Sequence, residues 1–254
     1  MNQIPPFRRQ RAYLSQFTTT QLHLKNPWIP AFFSFSYPGF GHIMQHRYVA
    51  GYILILWETF INDRAKVNLG ILYTLLGQFE KAKDVLDDRW LILYLAIYMF
   101  GIWDSYRTTI DLNKLYVLAD REDAPLLNIK MGTWDTNYLD KRKPVDALIW
   151  SALFPGLGHL YLHHVITGFF IFVYAVAITY LGHLPQAIHA SMIGDFEHAK
   201  SVLNMQWALY FPSIYFFIIY DSYVLAIEHN KLFEKEMSKY LRQKYQSKDF
   251  IFPI

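Results

Sequence analysis

Two pairs of histidines and two aspartates are the residues of this chain whose types and spacing invite chemistry. His42 and His46 stand four apart, and so do His159 and His163. If the helix continues past the first histidine, both imidazoles of a pair share one face, the spacing of an i, i+4 metal chelate. Asp104 and Asp221 are embedded in apolar sequence, each followed by Ser-Tyr. A charge at the centre of a bilayer costs about 2.5–3.5 kcal/mol on insertion scales, so an aspartate kept at two matching positions calls for a partner. We expect Asp104 to meet His42 or His46, and Asp221 to meet His159 or His163. Such a pair can orient a metal ligand, relay a proton or lock two helices. The plainer reading of the histidines is structural: they hydrogen-bond backbone groups freed close by.

Those groups are freed by the motif preceding each pair. "YPGFGHIMQHRYVAGYI" at residues 37–53 is echoed by "FPGLGHLYLHHVITGFF" at residues 154–170. Pro38, Gly39 and Gly41 correspond to Pro155, Gly156 and Gly158, each 117 positions on. Proline removes a backbone donor and glycine loosens a helix. At membrane depth such a break is tolerated only where other protein or water satisfies the freed groups. The same shift carries Gly77, Phe79 and Glu80 onto Gly194, Phe196 and Glu197. It also carries Asp104-Ser105-Tyr106 onto Asp221-Ser222-Tyr223, and Asn113-Lys114-Leu115 onto Asn230-Lys231-Leu232. Roughly three in ten positions match over about ninety residues, which marks an internal tandem duplication.

The composition says what is duplicated. Of 254 residues, 53% are hydrophobic, 18% are aromatic and none is cysteine. Val165 to Leu184 runs twenty residues without Asp, Glu, Lys or Arg, and Trp207 to Ile227 runs twenty-one with a single Asp. That is the length a helix needs to cross a bilayer. The expected fold is all-α: a polytopic integral membrane helical bundle, duplicated in tandem with pseudo-twofold symmetry. We divide it into an N-terminal cytoplasmic segment (1–26), a first membrane repeat (27–115), a polar linker (116–143), a second membrane repeat (144–232) and an amphipathic tail (233–254). Each repeat holds a broken apolar segment (27–44; 144–161), an apolar helix (48–62; 165–184), a mid-loop of two short helices turning at Gly77 or Gly194, and an aromatic helix (90–110; 207–227). In the tail, Phe233, Met237, Tyr240 and Leu241 fall on one face, as in helices that lie on a membrane surface.

Two topologies follow. If the broken segment dips in and returns, each repeat crosses twice, both repeats point the same way, and N-terminus, linker and C-terminus are cytoplasmic. If it crosses, the repeats are inverted. The first arrangement puts three-quarters of the 24 Lys and Arg residues on the cytoplasmic side, more than the second does, and cytoplasmic loops are enriched in these residues. The five basic residues of the first mid-loop count against it.

At Gly39, Gly41, His46, Arg47, Tyr48 and Gly51, then Trp103 and Asp104, the chain resembles the TM-two domain family. These are small membrane modules with a Gly-x-Gly-x-His-Arg-Phe-Tyr-x-Gly-type motif after one hydrophobic segment and a Trp-x-x-Asp-type ending on the next. In the second copy the counterparts are Gly156, Gly158, His163 and Gly168, then Tyr220 and Asp221. The Trp–Asp spacing is shortened, Arg47 becomes His164, and a mid-loop is inserted. The resemblance covers about half of each copy. It implies a bacterial cell-membrane protein with more than one TM-two unit. The family has no common enzymatic activity, so it implies no catalytic residue, cofactor or metal.

The leading expectation is therefore a non-enzymatic multi-pass membrane scaffold or assembly partner. Its mid-loops and tail would engage membrane lipid, other proteins or a second copy of the chain. The alternative is a transporter or channel for a proton, ion, lipid or small solute that uses the Asp–His pairs. A third reading is a metal-dependent membrane enzyme built on the histidine pairs. "HLYLHH" is similar to the histidine boxes of membrane di-iron hydroxylases and desaturases, but those need several boxes and the other histidines form none. No nucleotide loop, nucleophile elbow or paired-carboxylate constellation appears. A net charge of +3 is too small to argue for nucleic acid. The basic N-terminus has no apolar run behind it, unlike a cleavable signal. Glu58 faces Ala175 in the repeat comparison and is given no shared role.

Overall fold

The computed structural model describes residues 8–246. The first repeat opens with an antiparallel hairpin of β1 (Ala12–Leu14) and β2 (Thr19–Gln21). Then come α1 (Trp28–Ser36), α2 (Phe40–Met44), α3 (Tyr48–Ala65), α4 (Val67–Leu75), α5 (Phe79–Val85) and α6 (Asp88–Glu122). The second repeat has the hairpin β3 (Ile129–Met131) and β4 (Thr136–Tyr138), then α7 (Pro144–Leu153), α8 (Leu157–Tyr161), α9 (Val165–Leu181), α10 (Leu184–Met192), α11 (Phe196–Val202), α12 (Met205–Ala208) and α13 (Tyr210–Tyr245). The fold is all-α apart from the two small sheets.

Several expected boundaries move. Residues 116–143 are not a linker along their length, because α6 continues to Glu122 and β3–β4 is already part of the second repeat. Likewise β1–β2 belongs to the first repeat rather than to a separate N-terminal segment. The hairpins sit 117 positions apart, yet AYL pairs with IKM and TTQ with TNY, too few shared side chains to reveal the match. The described part of the tail extends α13 without a break. One asymmetry has a plain cause. α6 is continuous, whereas its counterpart splits into α12 and α13 around Leu209, because Pro212 stands where the first copy has Leu95 and has no amide to donate back to Ala208.

The broken segment turns back on itself. Tyr37 is extended, as a residue before proline prefers, and Gly39 then takes φ 104, a left-handed conformation open to glycine. A Cβ on Gly39 would lie 2.5 Å from the carbonyl oxygen of Gly51, so α2 folds directly against α3. Register against α6 traces the path. Trp28 packs on Tyr106 with ring centroids 4.9 Å apart, and the Tyr98 hydroxyl donates to the Phe35 carbonyl at 2.5 Å. His42 is then back opposite Asp104, and α3 runs from Arg47 beside Thr108 to Phe60 on Trp90. Thus α1 and α2 enter the bundle and return to the end they left. The second copy repeats this, with the Tyr215 hydroxyl donating to the Ala152 carbonyl and His159 opposite Asp221.

The two repeats share one core. Phe33, Tyr37, Phe40 and Ile55 pack against Ile171, Tyr174, Ile214 and Phe217. Phe40 and Phe217 stack with centroids 4.1 Å apart and planes 8° from parallel, a contact that ties the broken segment of one repeat to the long helix of the other. α6 and α13 end side by side at the hairpin end, where Lys235 donates to Asp120 and Lys239 to the carbonyl of Asp123. The repeats therefore lie parallel.

By length and composition, α12 and α13 together form one helix able to cross a membrane. α9 with α10 qualifies as a second only if their 63° bend is counted within one broken span. α3 falls short because its eighteen residues include Glu58, Asp63 and Arg64.

Candidate functional site

The close packing that brings imidazole to carboxylate begins at the second glycine of each motif. A Cβ on Gly41 would lie 2.2 Å from the Pro30 carbonyl oxygen, and one on Gly158 would lie 2.1 Å from Ser151 Oγ. With no side chain there, α2 and α8 press against α1 and α7 and aim His42 and His159 at α6 and α13. Nε2 of His42 donates to Oδ2 of Asp104 across 3.1 Å, and Nε2 of His159 donates to Oδ2 of Asp221 across 3.0 Å. The second pair is more enclosed, with His159 and Asp221 side chains 0% and 2% exposed, against 1% and 17% for His42 and Asp104. Asp104 also accepts from Nη1 of Arg47 at 2.5 Å, and Arg47 donates to Thr108. The counterpart of Arg47 is His164, which turns toward Thr18 and Tyr48 instead.

His46 and His163 do not join these contacts. The helix stops between the two histidines of each pair: α2 ends at Met44, α8 ends at Tyr161, and His46 and His163 take φ of 59 and 61. Their rings leave the face held by His42 and His159. Nδ1 of His46 is 2.7 Å from the Tyr48 hydroxyl, and Nε2 of His163 donates to the Gln16 carbonyl at 2.8 Å. Neither pair forms a chelate, and among the described residues no three His, Asp or Glu side chains are placed to hold a metal. Pro38, Gly39 and Gly41, with Pro155, Gly156 and Gly158, form the turns that set this geometry.

Two features escaped sequence reasoning. Asn113 clamps the chain entering α1: the amide of Lys25 donates to Asn113 Oδ1 at 3.0 Å, and Asn113 Nδ2 donates to the Lys25 carbonyl at 2.8 Å. Asn230 makes the same two bonds to Arg142 at 2.8 and 2.6 Å. The repeated Asn-Lys-Leu was the signal for it. The other feature is an ionic cluster at the hairpin end, where Arg11 joins Asp120 at 3.2 Å and Glu236 at 2.8 Å. The hydrogen bond from Lys235, followed by that from Arg11, holds the Asp120 carboxyl below its ordinary range.

No protein-family model, curated protein or solved structure matches this chain.

Proposed function

We propose that the chain is a tandem TM-two-type protein of a bacterial cell membrane, multi-pass and non-enzymatic, that serves as a scaffold or assembly partner. The observation that carries this reading is the closed contact of His159 with Asp221, repeated by His42 with Asp104, which ties each broken segment to a long helix. A polar pair shut inside a bundle is a lock; it offers no reacting group to a substrate. With α1–α2 returning to its starting end, the proposed crossings are α3, α6, α9 and α13, of which α13 passes by length and composition and α9 only together with α10. The hairpin end, with both polar connections, is then cytoplasmic. Support for lipid contact comes from the apolar side chains left open on these helices, among them Val49, Ile53, Phe100, Phe169 and Val173. Soluble monomers rarely expose such continuous apolar surface. At the opposite end, the mid-loop tips carry matching exposed groups, Leu75, Leu76 and Phe79 in one repeat and Met192, Ile193 and Phe196 in the other, suited to lipid or a protein partner.

Proton transport is the second reading. What favours it is that Nδ1 of both His42 and His159 is buried without a hydrogen-bond partner. Proteoliposomes holding a pH-sensitive dye separate the two. Scaffolding predicts proton entry equal to that of protein-free vesicles under an imposed potential. Entry above that level, abolished by Asp221→Asn, would replace scaffolding with transport.

A further inference from the structure

Glu58 is a buried carboxylate with no acidic counterpart in the second repeat, which has Ala175 there. It is 4% exposed, on the face of α3 that meets the second repeat. Asn62 Nδ2 donates to Glu58 Oε1 at 3.0 Å and to Asn68 Oδ1 at 3.1 Å. Gln206, from the second repeat, donates to Asn62 Oδ1 at 2.9 Å and accepts from the Leu69 amide. These amides are occupied with one another and hold Glu58 in place. Among the described residues no Lys, Arg or His side chain pairs with it. A carboxylate so enclosed is costly unless a cation meets it.

The space beside it is a cavity of about 400 Å³ whose lining includes Glu58, Tyr37, Tyr94, Tyr98 and Tyr210. Phe32 and Phe35 also line it and are 54% and 60% exposed, so they place its mouth on the outer face of the bundle. An acidic group walled by aromatic rings is the chemistry that holds ammonium cations, which gain from both the carboxylate and the ring faces. The volume far exceeds a bare metal ion, and aromatic rings share the walls with the polar groups of Ser36, Asn62, Asn68 and Ser213. The second repeat lacks this chemistry, having Ala175, Thr179, Pro185 and Phe211 where the first has Glu58, Asn62, Asn68 and Tyr94.

We infer that this cavity is a binding site for a ligand bearing a protonated or quaternary ammonium group, either a free amine or the headgroup of an amine-bearing lipid. The duplicated frame thus carries one ligand site, built on the first repeat and completed by the second.

The test uses the full chain in nanodiscs of phosphatidylglycerol, which has no amine. Choline and ethanolamine are titrated by calorimetry at constant sodium. In a second arm, phosphatidylethanolamine is included and lipid retained by the protein is counted by native mass spectrometry. Glu58→Gln keeps an acceptor for Asn62, and Tyr94→Leu removes a ring while leaving the carboxylate. Saturable binding in either arm, weakened about tenfold or more in both variants, is the expected result. Binding in the first arm alone assigns a free amine, and in the second alone a headgroup. No saturable binding in either arm, or unchanged binding in either variant, overturns the proposal.

Discussion

His159 and Asp221 meet across 3.0 Å, with 0% and 2% of their side chains exposed, where the broken segment of the second repeat crosses its long helix. Their counterparts meet at 3.1 Å, but Asp104 is 17% exposed and shares its charge with Arg47. Removing one member of a fully buried pair leaves the other uncompensated, at about 3–5 kcal/mol, while a pair that solvent partly reaches and that an arginine shares loses less. Asp221→Ala should therefore destabilise the protein several-fold more than Asp104→Ala in detergent unfolding. Equal losses would mean that burial does not distinguish the two locks.

The turn glycines supply a second comparison. Gly39 and Gly156 have φ of 104 and 96, and a Cβ on either would lie 2.5 Å from a backbone oxygen of α3 or α9. Gly77 and Gly194 also have positive φ, at 72 and 83, but open space surrounds them. Alanine at Gly77 or Gly194 should cost about 1 kcal/mol of backbone strain, and alanine at Gly39 or Gly156 about 3 kcal/mol, because strain and collision add. Unfolding midpoints of the four variants check the order.

Acid should loosen the hairpin end. The Asp120 carboxyl is held below its ordinary value of 3.8 by Lys235 and then Arg11. As pH falls, the unfolded chain takes up this proton first, so the contribution is present above the ordinary carboxylate range and lost as pH drops through the lowered value. The stability gap between wild type and Asp120→Asn should be clear at about pH 6 and close toward about pH 2. A gap independent of pH would show that the ion pairs with Lys235 and Arg11 contribute nothing.

How far the sequence reached depended on what the duplication wrote twice. The partners His42, Asp104, His159 and Asp221 were legible because costly residue types recur at one spacing. Asn113 and Asn230 were visible as a match, but their clamp on backbone could not be read from identity. The left-handed backbone at His46 and His163 was hidden, since non-glycine residues seldom adopt it and only the packing of α2 and α8 imposes it. The hairpins were missed because three-residue strands keep their pairing with almost no shared side chains. Glu58 was set aside because it is not repeated, and that asymmetry is what marks it.

The proposed membrane orientation is tested most directly by labelling single cysteines, since the chain has none of its own. Glu80→Cys and Glu197→Cys report on the two mid-loops, and Ala124→Cys on the connection between the repeats. With parallel repeats, a membrane-impermeant maleimide applied to intact cells labels positions 80 and 197, and reaches position 124 only after the membrane is opened. Labelling of 80 and 197 from opposite sides would contradict two repeats that enter the bilayer in the same sense, and labelling of 124 from outside would contradict a cytoplasmic hairpin end.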